Sequence, residues 1–131
     1  MSDAEKNNVL IKVAKGAKIV QAGNAKVRMG NSVVHVRYCS SNVNAPGKFK
    51  FNINPNTLSA DYELWICGSV TIYYLMPVSL MQDIYNNPNT YVDRRHPEIR
   101  VVSVDTFLHT VTYASGGVKN SIRDYLGNTL P

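Results

Sequence analysis

From Lys6 to Ala60 the chain contains no acidic residue. A hydrolytic site for a hard divalent cation needs carboxylates gathered on neighbouring elements, so this half cannot build one by itself. The remaining acids, Asp61, Glu63, Asp83, Asp93, Glu98, Asp105 and Asp124, follow no spacing that singles out a catalytic pair. Asp61 and Glu63 are two apart and would share a face of a strand; they read as standing in water where that strand begins. Cysteine is equally scarce. Cys39 and Cys67 lack metal-ligand spacing and lie in apolar, strand-like surroundings that leave thiols inert. Both are expected to be reduced core thiols of an intracellular, cytoplasmic protein. Also missing are an apolar run of about 18 residues that would span a bilayer, a Gly-rich phosphate loop, a nucleophile elbow, an internal repeat and a low-complexity segment. No membrane association, cofactor, bound metal or catalytic residue is expected.

What remains is a chain of 131 residues with 44% hydrophobic content, which suits one domain over residues 1–131 with a real core. Charge is sparse, at 18% of residues, yet the net value is +5. It is also uneven. Residues 1–50 hold nine Lys or Arg against two acids, and residues 51–131 hold five against seven. Such asymmetry points to an anionic partner.

The framework is legible between Lys48 and Leu80. Phe49 to Ile53 alternates apolar and polar residues, which predicts a strand with one packed face, ended by Asn54-Pro55-Asn56. Tyr62 to Cys67 and Val70 to Met76 read as a hairpin closed at Gly68-Ser69, and their near-continuous apolar character predicts cover on both faces. Before this framework, Met1 to Asn8 reads as frayed. Val9–Ala14, Lys18–Gln21, Ala25–Met29 and Val33–Cys39 read as a four-stranded antiparallel meander with glycine turns. After it, Ser79-Leu80-Met81-Gln82 has the form of a capping box that opens a helix over Leu80 to Tyr85. Ile99 to Val104 is a further strand, and Thr106 to Tyr113 carries no decisive pattern. Val118, Ile122, Tyr125 and Leu126 mark a second helix closed by Gly127-Asn128. The fold class is α+β: a mainly antiparallel or mixed sheet with a central hairpin and two short helices.

On this reading Lys12, Lys15, Lys18, Lys26 and Arg28 lie on or beside the meander strands. Arg37 precedes Tyr38, and Lys48 and Lys50 share the strand face opposite Phe49 and Phe51. These eight are the candidate phosphate contacts. The two phenylalanines read as core, not as stacking platforms. Arg94-Arg95-His96 sits in a polar loop. His35, between Val34 and Val36, reads as a packed or hydrogen-bonded strand histidine, and His96 and His109 show no metal-ligand spacing.

The series Ser32-Val33-Val34-His35-Val36-Arg37-Tyr38-Cys39-Ser40-Ser41, Lys48-Phe49-Lys50-Phe51-Asn52-Ile53, Asp61-Tyr62-Glu63-Leu64-Trp65-Ile66-Cys67 and Ile72-Tyr73-Tyr74-Leu75-Met76-Pro77 resembles the core of the restriction-endonuclease-like nucleases, the PD-(D/E)XK superfamily. There, a strand carrying an acid or Gln, one apolar residue and a Lys is often followed by an aromatic-rich strand, a strand beginning Asp-Tyr, and one ending in Pro before a helix. The resemblance covers about Ser32 to Tyr85. His35-Val36-Arg37 stands where the family has its acid-x-Lys pair, and the family's earlier Asp has no counterpart. What the resemblance implies is a degenerate member that binds without cutting, or one whose active site was rebuilt elsewhere.

The expectation is a non-catalytic nucleic-acid-binding module that docks DNA or RNA phosphates on its basic N-terminal half. Two other functions fit the same composition. One is a small inhibitor or assembly protein whose basic face binds an acidic protein. The other is a metal-dependent nuclease that gathers Asp61, Glu63 and the C-terminal acids on folding.

Overall fold

The computed structural model describes residues 1–131 and is α+β, with two sheets and two helices. In chain order the elements are α1 (Asp3–Ala14), β1 (Ile19–Gly23), β2 (Lys26–Met29), β3 (Ser32–Cys39), β4 (Lys48–Ile53), a 3₁₀ turn (Thr57–Ser59), β5 (Tyr62–Cys67), β6 (Tyr73–Pro77), α2 (Val78–Asn86), β7 (Arg100–Asp105), β8 (Thr110–Ala114), β9 (Val118–Ser121) and a second 3₁₀ turn (Arg123–Tyr125). The first sheet is mixed, in the order β1-β2-β3-β5-β6; the second is antiparallel, in the order β4-β7-β8-β9. Only β3 and β5 run parallel. Between them the chain leaves the first sheet to form β4 in the second and returns through the Thr57–Ser59 turn. No helix is long and apolar enough to cross a membrane.

The N-terminus departs from expectation. Residues 3–14 form a helix, not a frayed end and a strand. Ser2 caps it: its Oγ accepts from the Glu5 amide at 3.1 Å, and Glu5 Oε1 accepts from the Ser2 amide at 3.2 Å. Two groups left unpaired by the first turn are thereby matched. These bonds hold the Glu5 carboxyl below its ordinary value. Val9, Leu10, Val13 and Ala14 are buried at helical spacing. They pack with Val27, Met29, Val34, Val36, Leu64 and Leu75 on one face of the first sheet.

The other face of that sheet meets the second sheet. Phe49, Phe51 and Ile53 point inward from β4, with Lys48, Lys50 and Asn52 exposed between them, as the alternation requires. Phe51 stacks on Trp65 at 4.5 Å and nearly parallel. Val102, Val104, Val111 and Tyr113 from the second sheet, with Met81 and Ile84 from α2, complete this core. β5 and β6 therefore lie between two apolar layers, which accounts for their continuous hydrophobic character. In strand order, however, β6 ends the sheet, and its outer edge is met by Leu126 and by the Gly127 amide.

Three further differences follow from local chemistry. The β5–β6 connection is longer than two residues, since the ladder resumes at Tyr73 opposite Ile66. Helix α2 starts at Val78 with Pro77 as its N-cap, and Ser79 makes no capping bond. Val118 to Ser121 is a strand paired with β8, not a helix, and only Arg123–Tyr125 turns helically. Thr106 to Tyr113 resolves into a turn and β8, with the Phe107 and Leu108 amides both donating to Asp105 Oδ1.

Candidate functional site

The first sheet carries one polar row in its buried half. Lys26 on β2 faces His35 on β3, His35 faces Glu63 on β5, and Glu63 faces Met76 on β6. Glu63 does not stand in water as its sequence context suggests: it is 2% exposed and His35 is 5% exposed. Glu63 Oε1 lies 2.8 Å from His35 Nδ1 and accepts from the Trp65 indole N–H at 3.0 Å. Stacking on Phe51 orients that indole. Two residue pairs further along the ladder, Arg37 faces Trp65. Arg37 Nε approaches Glu63 Oε1 to 3.8 Å without a hydrogen bond, and both Arg37 Nε and Glu63 Oε2 are buried without a partner. Buried polar atoms are nearly always matched, so this corner holds unspent bonding capacity.

The row opens into a concavity of about 640 Å³ where the second sheet stops covering the first. Lys26, His35 and Arg37 line it, together with Asn24, Asn54 and Asn56, and no acidic side chain does. Lys26 Nζ donates to Ser59 Oγ at 2.6 Å, which fixes the lysine at the rim. On β2, Val27 and Met29 turn into the α1 core, so Lys26 and Arg28 share the opposite face with His35 and Arg37. Arg28 is exposed on that face but does not line the concavity. Three of the eight candidate contacts, Lys26, Arg28 and Arg37, are thus brought onto one open face.

The other five go elsewhere. Lys12 lies in α1, Lys15 caps it in a left-handed conformation (φ 51°), and Lys18 follows in the link to β1. Because residues 3–14 are a helix packed on the far side of the first sheet, these lysines do not join the Lys26 face. Lys48 and Lys50 stand on the outer surface of the second sheet, beside a separate concavity lined by Ser40, Ser41 and Ser103. Lys48 is tied to Asp105 at 2.7 Å. That bond, with the Leu108 and Phe107 amides, outweighs burial and holds the Asp105 carboxyl below its ordinary value. The continuous basic platform expected for residues 12–50 is therefore three separate patches.

The carboxylate cluster required by a metal-dependent nuclease is not formed. Asp61 accepts from the Val33 amide at 2.7 Å, Glu63 is occupied by His35 and Trp65, and Asp105 by Lys48. No three His, Cys, Asp or Glu side chains converge as a ligand set. Cys39 and Cys67 face each other across the β3–β5 ladder, and burial first, then Cys39, pushes the Cys67 thiol up to about 12. His109 Nδ1 lies 2.7 Å from the hydroxyl of the buried Tyr74, whose ionisation is pushed up, chiefly by burial.

Glu63, Trp65, Asn54 and Asn56 are site residues that sequence reasoning did not gather. Their only sequence signal is the two-residue spacing of Glu63 and Trp65, which places both on one face of β5. No protein-family model matches the chain, and no curated protein and no solved structure matches it.

Proposed function

We propose that the protein is a non-catalytic nucleic-acid-binding module that docks phosphates on the open face formed by Lys26, Arg28 and Arg37. One observation carries this reading: two cations from neighbouring strands, Lys26 and Arg37, line a polar concavity whose lining contains no acid, and Arg28 stands on the same face of the sheet. Phosphate contacts of this kind supply affinity without sequence information. The resemblance to the restriction-endonuclease-like core fits the same proposal. His35 and Arg37, at the positions of the family's acid-x-Lys pair, lie on the concave face, and a basic residue of this type keeps its attraction for phosphate when the metal-binding acid is replaced. Neutral Asn54 and Asn56 add hydrogen-bonding capacity beside the charges.

The test is binding of labelled single- and double-stranded DNA and RNA over a salt series. Three phosphate contacts give a slope of about −2.7 in log K against log salt, or roughly a 40-fold loss over a fourfold rise in salt. The variant carrying Lys26→Gln, Arg28→Gln and Arg37→Gln is expected to lose that dependence, and the variant carrying Lys12→Gln, Lys15→Gln and Lys18→Gln to keep it. Absence of salt-sensitive binding in the wild type sinks the reading and turns attention to an acidic protein partner.

A further inference from the structure

We infer that the concavity is a ribonucleotide site in which His35 Nε2 accepts a 2′-hydroxyl while Arg37 and Lys26 hold the adjacent phosphate, so that the protein prefers RNA to DNA. This inference rests on the phosphate-docking reading above and specifies its ligand.

The tautomer of His35 comes first. An indole N–H can only donate, so Glu63 Oε1 accepts from Trp65 and has His35 Nδ1 at 2.8 Å on the same atom. A carboxylate oxygen shared in this way is in its ionised, acceptor form. Nδ1 therefore carries a proton, and when the ring is neutral the lone pair lies on Nε2. That nitrogen has no partner within the protein and is not one of the buried, unpaired polar atoms, which are Arg37 Nε and Glu63 Oε2. It opens on the concavity that His35 lines.

Arg37 follows the same logic. Its Nε is buried, but the two terminal nitrogens are neither buried and unpaired nor bonded internally, and the side chain is 31% exposed. Arg37 lines the same concavity as His35. A complementary ligand offers a hydrogen-bond donor to Nε2 and, within one residue's span, an anion to the guanidinium. The sugar-phosphate backbone of DNA contains acceptors only. In RNA the 2′-hydroxyl is the backbone donor, it neighbours the 3′-phosphate, and it is the group by which proteins distinguish the two polymers. Lys26, with donors to spare beyond its bond to Ser59, adds a second cation at the rim. Glu63 itself does not line the concavity.

The experiment compares single-stranded oligonucleotides of one sequence as RNA, DNA and 2′-O-methyl RNA, by fluorescence anisotropy with the full chain at neutral pH. The methyl ether removes the donor and keeps the sugar oxygen. RNA is expected to bind roughly three- to tenfold more tightly than either of the others, the effect of one hydrogen bond. Equal affinity of RNA and 2′-O-methyl RNA, with the salt dependence intact, overturns the ribonucleotide site and leaves phosphate docking standing. Loss of salt-sensitive binding to all three removes both. His35→Phe adds a test of the mechanism: a ring remains in place and the Nε2 acceptor is lost. In a folded His35→Phe protein the ratio of RNA to DNA affinity is expected to fall to about one; a ratio that survives overturns the role of His35. Should the variant not fold, the 2′-O-methyl comparison on the wild-type chain decides alone.

Discussion

Replacing Glu63 with alanine strips a single acceptor from a corner that has no other. His35 Nδ1 at 2.8 Å and Trp65 Nε1 at 3.0 Å lose their only partner, and Arg37 Nε at 3.8 Å loses its counter-charge. Each buried donor left unmatched costs about 1–3 kcal/mol, so the two outright losses, with the uncompensated cation, come to about 3–5 kcal/mol. Against a total stability of about 5–15 kcal/mol for a domain of this kind, the variant is expected to retain little margin. Urea denaturation followed by Trp65 fluorescence reads the change as a fall in midpoint at constant slope. A double-mutant cycle with His35→Ala isolates the pair, with coupling of about 1–3 kcal/mol. A Glu63→Ala loss below about 1 kcal/mol would refute the reasoning, because it would mean that water replaces the carboxylate and the row is not sealed.

Other perturbations bear on other parts of the molecule. Cys67, buried and with its thiol at about 12, is expected to resist iodoacetamide at pH 8 in the folded protein and to react once unfolded, as peptide mass spectrometry would reveal. Asp105 has a folded-state value below its unfolded one, so its contribution to stability is present above the ordinary carboxylate range and disappears as pH falls through the folded value. Denaturation midpoints between pH 6 and pH 2 should therefore decline less steeply in Lys48→Met than in the wild type; parallel curves would disprove the assignment. Gly68 has φ +78°, and a Cβ there would lie 2.5 Å from Ser41 Oγ and 3.1 Å from the Phe49 ring. Gly68→Ala is expected to cost at least about 1–2 kcal/mol from the left-handed backbone alone, measurable as a drop in melting temperature.

The strands that lean on local pattern were legible. Phe49 to Ile53 alternates because only one side of β4 is packed, and Tyr62 to Cys67 is apolar but for Glu63 because both sides of β5 are. Helix α1 was hidden by β-branched residues: Val9, Ile11 and Val13 read as alternation, while the buried set is Val9, Leu10, Val13 and Ala14. Its real signature, Ser2 three residues before Glu5, was present and outweighed by that run. At the other end Val118 and Ile122 have helical spacing, but the open edge of β8 takes residues 118–121 as a strand. The concavity was illegible for a different reason. His35 and Glu63 are 28 residues apart and meet only through a parallel register, and no local periodicity encodes which residue of one strand lies beside which residue of another. The same ignorance of strand order let eight basic residues read as one surface when the fold distributes them over three.

β5 also has a consequence for how the molecule can come apart. Leu64 and Ile66 belong to the core beneath α1, and Trp65 and Cys67 to the core between the sheets. Alternate residues of one strand are thus the shared wall of both interiors, and neither can melt while the other stays dry. The helical layer and the second sheet, though on opposite sides and without a core in common, are bound into a single cooperative unit of opening. Amide protons along Leu64 to Ile66 are accordingly placed to exchange only when the whole chain unfolds.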